Sequence, residues 1–168
     1  QSDGGPAMQD IIQLLRGSDS PERDISIFMR ACILFWILGA TDGHAKNFSI
    51  ALGPGGRFRL TPLYDVLTAQ PSLDAGHIEH KKFKLAMSAG KNRQYSVQEI
   101  VPPHFLQSAE LAGVSKSLML AILEDLAANA EKMTDAVLNT LPFSFPDQLV
   151  TSIRRAVMTR SSLLLRSI

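Results

Sequence analysis

The chain has 168 residues, 45% of them hydrophobic and 20% charged, which fits one globular domain or one lobe of a larger protein and excludes disordered and collagen-like classes. Seventeen Lys and Arg against sixteen Asp and Glu give a formal charge of +1, so net charge argues neither for nor against nucleic acid. A single cysteine excludes an internal disulfide framework and a Cys-rich zinc module. The longest apolar run, Ala31 to Ala40, is about half the ~20 residues that a membrane-spanning helix needs.

The first residues, Gln1-Ser-Asp-Gly-Gly-Pro6, carry neither an initiator methionine nor a signal peptide and read as the start of a piece of a longer polypeptide. Pro6 suits the first position of a helix, which Met8, Ile11, Ile12 and Leu15 continue at helical spacing and Gly17 stops. A second helix starts at Ser20-Pro21, with Glu22 and Asp24 complementing its dipole. From Ala31 to Leu38 it is apolar all round, which predicts a path through the core and makes Cys32 a small core side chain. Phe48–Leu52 and Arg57–Leu60 flank Gly53-Pro-Gly-Gly56 and predict a β-hairpin. Residues 61–80 read as loop, and Phe83–Met87 as one further short strand. The remainder predicts three helices: one from Pro103 to about Ala112, a long one through Leu118, Ile122, Leu126, Ala130, Met133 and Val137, and a last one after Pro146 carrying Leu149, Ile153, Val157, Leu164 and Ile168. The fold class is mainly α, a helical bundle with a small β-hairpin insertion.

That insertion carries the chemistry. Thr41-Asp42-Gly-His-Ala-Lys-Asn47 stands where a buried helix hands over to a strand, and Leu63-Tyr-Asp65 follows the second strand. The hairpin should bring Asp42, Asn47 and Asp65 to one end of the sheet. Two carboxylates and a carboxamide supply hard oxygens of the kind Mg²⁺ accepts beside phosphate. An Asp base, an Asn after four intervening residues and a second Asp for metal are the division of labour in phosphoryl transfer. The bare spacing is also met by chance, and an Asp before Gly commonly forms a turn. His44 and Lys46 read either as loop residues or as donors to phosphate.

The run Phe35-Trp-Ile-Leu-Gly-Ala-Thr-Asp-Gly-His-Ala-Lys-Asn-Phe-Ser49, followed by Arg59-Leu-Thr-Pro-Leu-Tyr-Asp65, closely resembles the HipA family of toxin–antitoxin serine/threonine kinases. Ser2–Pro6, Lys84–Met87 and Pro103–Phe105 agree with it, so the resemblance covers nearly the whole chain, residues 1–168. It implies a protein-kinase-like C-terminal lobe, with the N-terminal lobe, its Gly-rich loop and its ATP-binding Lys lying upstream. Without that lobe the isolated chain should be nearly inert. The resemblance matches Asp42 to the catalytic Asp, Asn47 and Asp65 to the Mg²⁺ ligands, and His44, Ala45, Lys46, Asn47, Tyr64 and Asp65 to contacts with the phosphates of ATP. It further implies a cytoplasmic kinase toxin that acts on a protein substrate and promotes persistence. In the best-known member that substrate is glutamyl-tRNA synthetase. The implied partner is a HipB-like helix-turn-helix antitoxin, which binds operator DNA. Glu110 and Gly113 stand where the family has a basic patch, so DNA is expected to be reached only through the antitoxin.

Two other readings stand beside this one: a non-catalytic kinase remnant or antitoxin-docking module, and a metal-dependent phosphodiesterase. Elsewhere, His77 and His80 read as a surface pair, because no third ligand completes a zinc site. Lys81, Lys82, Lys84, Lys91 and Arg93 read as a solvated face, as do Arg154, Arg155, Arg160 and Arg166. Trp36 and the methionines are expected to fill the core, and Leu163–Leu165 to dock on the lobe or hold a partner.

Overall fold

The computed structural model describes residues 5–165. Helix α1 (Met8–Leu15) buries Met8, Ile11, Ile12 and Leu15, the four apolar residues spaced for one face. It begins after Pro6, not at it: the Asp10 carboxylate accepts the Ala7 amide at 2.7 Å and caps the first turn at Met8. Helix α2 (Pro21–Leu38) has Pro21 at its first position and ends at Gly39 in the left-handed conformation, φ +66°. A Cβ on Gly39 would also meet the Phe83 ring at 2.6 Å, so both backbone and packing require glycine there.

The second half of α2 buries Ala31, Cys32, Ile33, Phe35, Trp36 and Ile37. Burial pushes the Cys32 thiol above its usual range, which makes it a core side chain and a poor nucleophile. Trp36 is fully buried against Phe105, and its indole N–H donates to the Val97 carbonyl at 3.0 Å. Asp24 does more than complement the dipole: it is wholly buried, and its Oδ2 accepts the Leu60 amide at 3.0 Å.

Leu60 belongs to the hairpin, in which β1 (Ile50–Leu52) pairs antiparallel with β2 (Phe58–Leu60), Ile50 opposite Leu60. The first strand is shorter than predicted because Phe48 is drawn into the core, 4.9 Å from the Phe28 ring and 5.8 Å from the Phe35 ring. The turn between α1 and α2 holds the far strand: the Asp19 amide donates to the Phe58 carbonyl at 2.8 Å.

Two elements were not expected. Helix α3 (Gln70–Asp74) lies inside the segment read as loop; Pro71 sits in its first turn, where proline is tolerated, and does not break it. Strand β3 (Lys84–Ala89) pairs with β4 (Gln94–Ser96), three polar residues that show no alternation in the sequence. Helices α4 (Pro102–Leu111), α5 (Lys116–Leu138) and α6 (Asp147–Leu165) follow close to the predicted bounds. Helix α6 packs along α5 and crosses α2 and α3. The fold is mainly helical with two small two-stranded sheets.

The basic stretch is a surface balanced by acids: Lys81 and Lys82 pair with Glu79, and Lys91 pairs with Glu110 at 3.1 Å. Arg154 and Arg155 pair with Asp135 and Asp74, whereas Arg160 departs from the solvated reading and is part-buried, bonded to the Ile37 carbonyl and the Gln70 side chain. Met8, Met29, Met87 and Met119 fill the core, but Met133 and Met158 are exposed. Among the described residues no group of three or more His, Cys, Asp or Glu gathers as a metal site, and no helix is long and apolar enough to cross a membrane. His80 instead bonds the Gln98 amide. Leu164 is fully buried and Leu163 packs on the core. Ser2–Gly4, the Leu165 side chain, Arg166 and Ile168 lie outside the described residues.

Replacing Trp36 by Ala removes the largest fully buried side chain and its bond to Val97. Equilibrium unfolding in denaturant should register a loss of about 3–5 kcal/mol.

Candidate functional site

The site grows out of the end of α2. After Gly39 the Ala40 amide turns back to the Phe35 carbonyl at 2.8 Å, closing the helix and sending the chain sideways. Gly43 then passes over the face of Phe35 so closely that a Cβ would stand 2.2 Å from a ring carbon. The His44 amide donates to the Asp42 carbonyl at 2.8 Å, and a 3₁₀ turn over Ala45–Asn47 follows. Asp42 and Asn47 thereby share one tight loop. Beneath it lies a small apolar layer of Ala31, Phe35 and Ala40, backed by Phe48, Leu63 and Val66.

The second loop arrives after β2. Asn47 is buried, and its Nδ2 donates to the Asp65 carboxylate at 2.9 Å and to the Asp65 carbonyl at 3.4 Å. Asp65 adopts the left-handed conformation, φ +54°, which costs a non-glycine residue roughly 1–2 kcal/mol. The Tyr64 hydroxyl clasps the two loops, donating to the Lys46 carbonyl at 2.9 Å and meeting Ser49 Oγ at 2.7 Å. The Asp42 carboxylate is 73% exposed, with Oδ1 3.5 Å from His44 Nε2. Lys46 is exposed as well.

The residues bracket the hairpin, as their places in the sequence imply: Asp42 and Asn47 precede β1, and Asp65 follows β2 by five residues. The structure joins Asn47 to Asp65, Tyr64 to Lys46, and Asp42 to His44. Three supports went unnoticed in the sequence: Ser49 as the second partner of Tyr64, Phe35 as the reason for Gly43, and Thr68, whose hydroxyl bonds the Leu38 carbonyl. Ser49 closes the distinctive run that ends Lys-Asn-Phe-Ser, the signal that would have found it.

The donor set fits a hard divalent cation. Among the described residues Asn47 Oδ1 is buried without a hydrogen-bond partner, although buried amide oxygens are normally satisfied. It leaves an unspent oxygen on the residue that already touches the Asp65 carboxylate. Asp65 and Asn47 are the residues that would hold such an ion.

Residues 1–134 match the family of HipA-like C-terminal domains. The chain belongs to that family. It is 31% identical over 140 residues to "Putative kinase Y4mE" of Sinorhizobium fredii (strain NBRC 101917 / NGR234), covering 82% of this chain and 31% of that protein. Its fold is that of HipA in the complex of the Shewanella oneidensis MR-1 toxin–antitoxin system with HipA, HipB and operator DNA, at a TM-score of 0.80 and 19% identity, over 94% of this chain and 35% of that one. The HipA-like chain thus spans about a third of the length of these two proteins.

At the positions of the expected DNA patch the HipA-like chain offers no cation of its own. Glu110 pairs with Lys91, and Gly113 ends α4 at φ +66°, its carbonyl taken by Arg16 at 2.9 Å.

Tyr64→Phe deletes both hydroxyl bonds without changing the ring. Denaturant unfolding should show a loss of about 1 kcal/mol, and amide hydrogen exchange at Lys46 and Asn47 should quicken.

Proposed function

We propose that the full-length protein is an ATP- and Mg²⁺-dependent serine/threonine protein kinase, the toxin of a toxin–antitoxin pair, and that this chain is its protein-kinase-like catalytic lobe. The supporting observation is the Asn47–Asp65 bond at 2.9 Å, formed one short loop from an exposed Asp42 carboxylate in a HipA-like fold.

On this reading Asp42 accepts the proton of the substrate hydroxyl that attacks the terminal phosphate. Its exposure leaves it open to a hydroxyl on another protein, and His44 Nε2 lies 3.5 Å from its Oδ1. Asp65 and Asn47 would hold Mg²⁺, which when bound would neutralise charge on the phosphate oxygens. Lys46 and the turn His44–Asn47 face the phosphates as donors, and Tyr64 keeps that turn in register with Asp65. Holding these groups at fixed spacing is the lobe's main contribution to rate.

The complex of HipA with HipB and operator DNA supports a HipB-like helix-turn-helix antitoxin as the partner here. DNA is then contacted through the antitoxin, in keeping with Glu110 and Gly113. The protein substrate is of the aminoacyl-tRNA synthetase kind, with glutamyl-tRNA synthetase the first to try, and the compartment is the cytoplasm.

In the full-length protein, Asp42→Ala should lower phosphate transfer from labelled ATP on the order of 10²–10⁴-fold while the circular dichroism spectrum stays unchanged. Near-normal turnover would remove Asp42 from the role of base. Asp65→Ala should weaken Mg·ATP binding in calorimetry; unchanged affinity would contradict the metal assignment. A wild-type protein that binds antitoxin but transfers no phosphate would make this chain a docking module.

A further inference from the structure

The family match ends at residue 134, and α6 lies wholly beyond it. Yet this last helix reaches the root of the site. The sequence pattern sets Arg160 on the solvent side of α6, whereas the structure turns it inward. Its Nε donates to the Ile37 carbonyl at 2.8 Å, and its terminal nitrogen donates to Gln70 Oε1 at 2.8 Å.

The surrounding bonds explain why a guanidinium is needed there. The last carbonyls of a helix have no partners within it, and α2 ends where the Asp42 loop begins. The Ile37 carbonyl is taken by Arg160, the Leu38 carbonyl by the Thr68 hydroxyl, and the Gly39 carbonyl by the Ala69 amide at 3.0 Å. Thr68 and Ala69 follow Asp65 by only three and four residues. The Gln70 amide donates to Thr68 Oγ1 at 3.1 Å, and the Gln70 side chain passes the connection on to Asp74 at 3.0 Å.

The fork of Arg160 therefore grips both roots at once: the helix end that launches Asp42 and the segment that descends from Asp65. Lysine has one donor group and cannot span the two acceptors in the same way. Burial lowers the Arg160 pKa to about 10, with Asp74 opposing the shift, so the side chain stays cationic at neutral pH and also complements the negative end of the α2 dipole. Gly39 makes room for it, since a Cβ there would stand 3.3 Å from the guanidinium. Asp74 is itself held below the usual carboxylate range: partial burial opposes ionisation, but the Ser152 hydroxyl, the Gln70 amide and Arg155 outweigh it.

We infer that Arg160 is a positioning residue for the site, fixing the Asp42 loop and the Asp65 loop relative to one another from the far end of the chain. Its consequence for rate rests on the kinase reading above; the geometric claim does not.

The test uses the full-length protein with Arg160→Met, Arg160→Lys and Gln70→Ala. Arg160→Met should speed amide hydrogen exchange at Ala40, His44, Ala69 and Gln70 while Ile122 and Leu123 in α5 stay protected. Phosphate transfer should fall about tenfold or more, carried by kcat and not by the KM for ATP, with Arg160→Lys in between. Faster exchange spread evenly over α2, α5 and α6, with kcat unchanged, would make Arg160 a plain structural staple and overturn the inference. If Arg160→Met fails to fold, Arg160→Lys and Gln70→Ala carry the same two readouts. If the wild-type protein transfers no phosphate, the kinase reading fails and the exchange pattern alone decides the positioning role.

Discussion

A single contact gives the site its shape: the amide of Asn47 reaching the carboxylate of Asp65 across the mouth of the hairpin. It is made at a local cost. Asp65 takes a left-handed φ, and the second polar atom of the buried Asn47 side chain has no partner, which costs on the order of 1–3 kcal/mol. A charge-assisted bond to a carboxylate recovers about 1.5–3 kcal/mol, and the Tyr64 clasp adds to it. A left-handed backbone and an unpartnered buried oxygen therefore meet at one spot.

The helical body supports that contact by packing α2 firmly. Its second half buries Ala31, Cys32, Ile33, Phe35, Trp36 and Ile37, with Trp36 tied to Val97 and Phe35 pressed against Gly43. Asp24 on the same helix holds the Leu60 amide, so the hairpin is anchored to α2 at one end and Asp42 is launched from it at the other. The two loops of the site are therefore referred to one rigid element, and their separation depends only on short, bonded stretches of chain.

Much of this was legible in the sequence, for identifiable reasons. Helices α1, α2, α4, α5 and α6 declare themselves by apolar spacing, and the hairpin by Gly53-Pro-Gly-Gly56. Helix α3 was not legible, because five residues with an early proline show no period; nor was β4, three polar residues whose pairing is set by the bulged partner β3. Asp42, Asn47 and Asp65 stood out by residue type and spacing, and the structure sets Asn47 against Asp65. Their conformations did not: a left-handed Asp65 and an orphaned Asn47 oxygen depend on where the backbone runs. Arg160 was misread because periodicity assigns one wet and one dry face, whereas α6 packs against α2 and α3 as well as α5.

The contrast between site and support has a chemical basis. An oxygen that is to meet a hard cation must come from Asp, Asn or a close equivalent at a fixed place, so few residue types can stand there. A helix end imposes a looser demand, because its free carbonyls accept from any donor that reaches them. Here the donors are an arginine, a threonine hydroxyl and a backbone amide drawn from three separate segments. The path of α2 into the Asp42 loop is therefore set by donors that lie far apart in the sequence, whereas the contact between Asn47 and Asp65 admits few residue types.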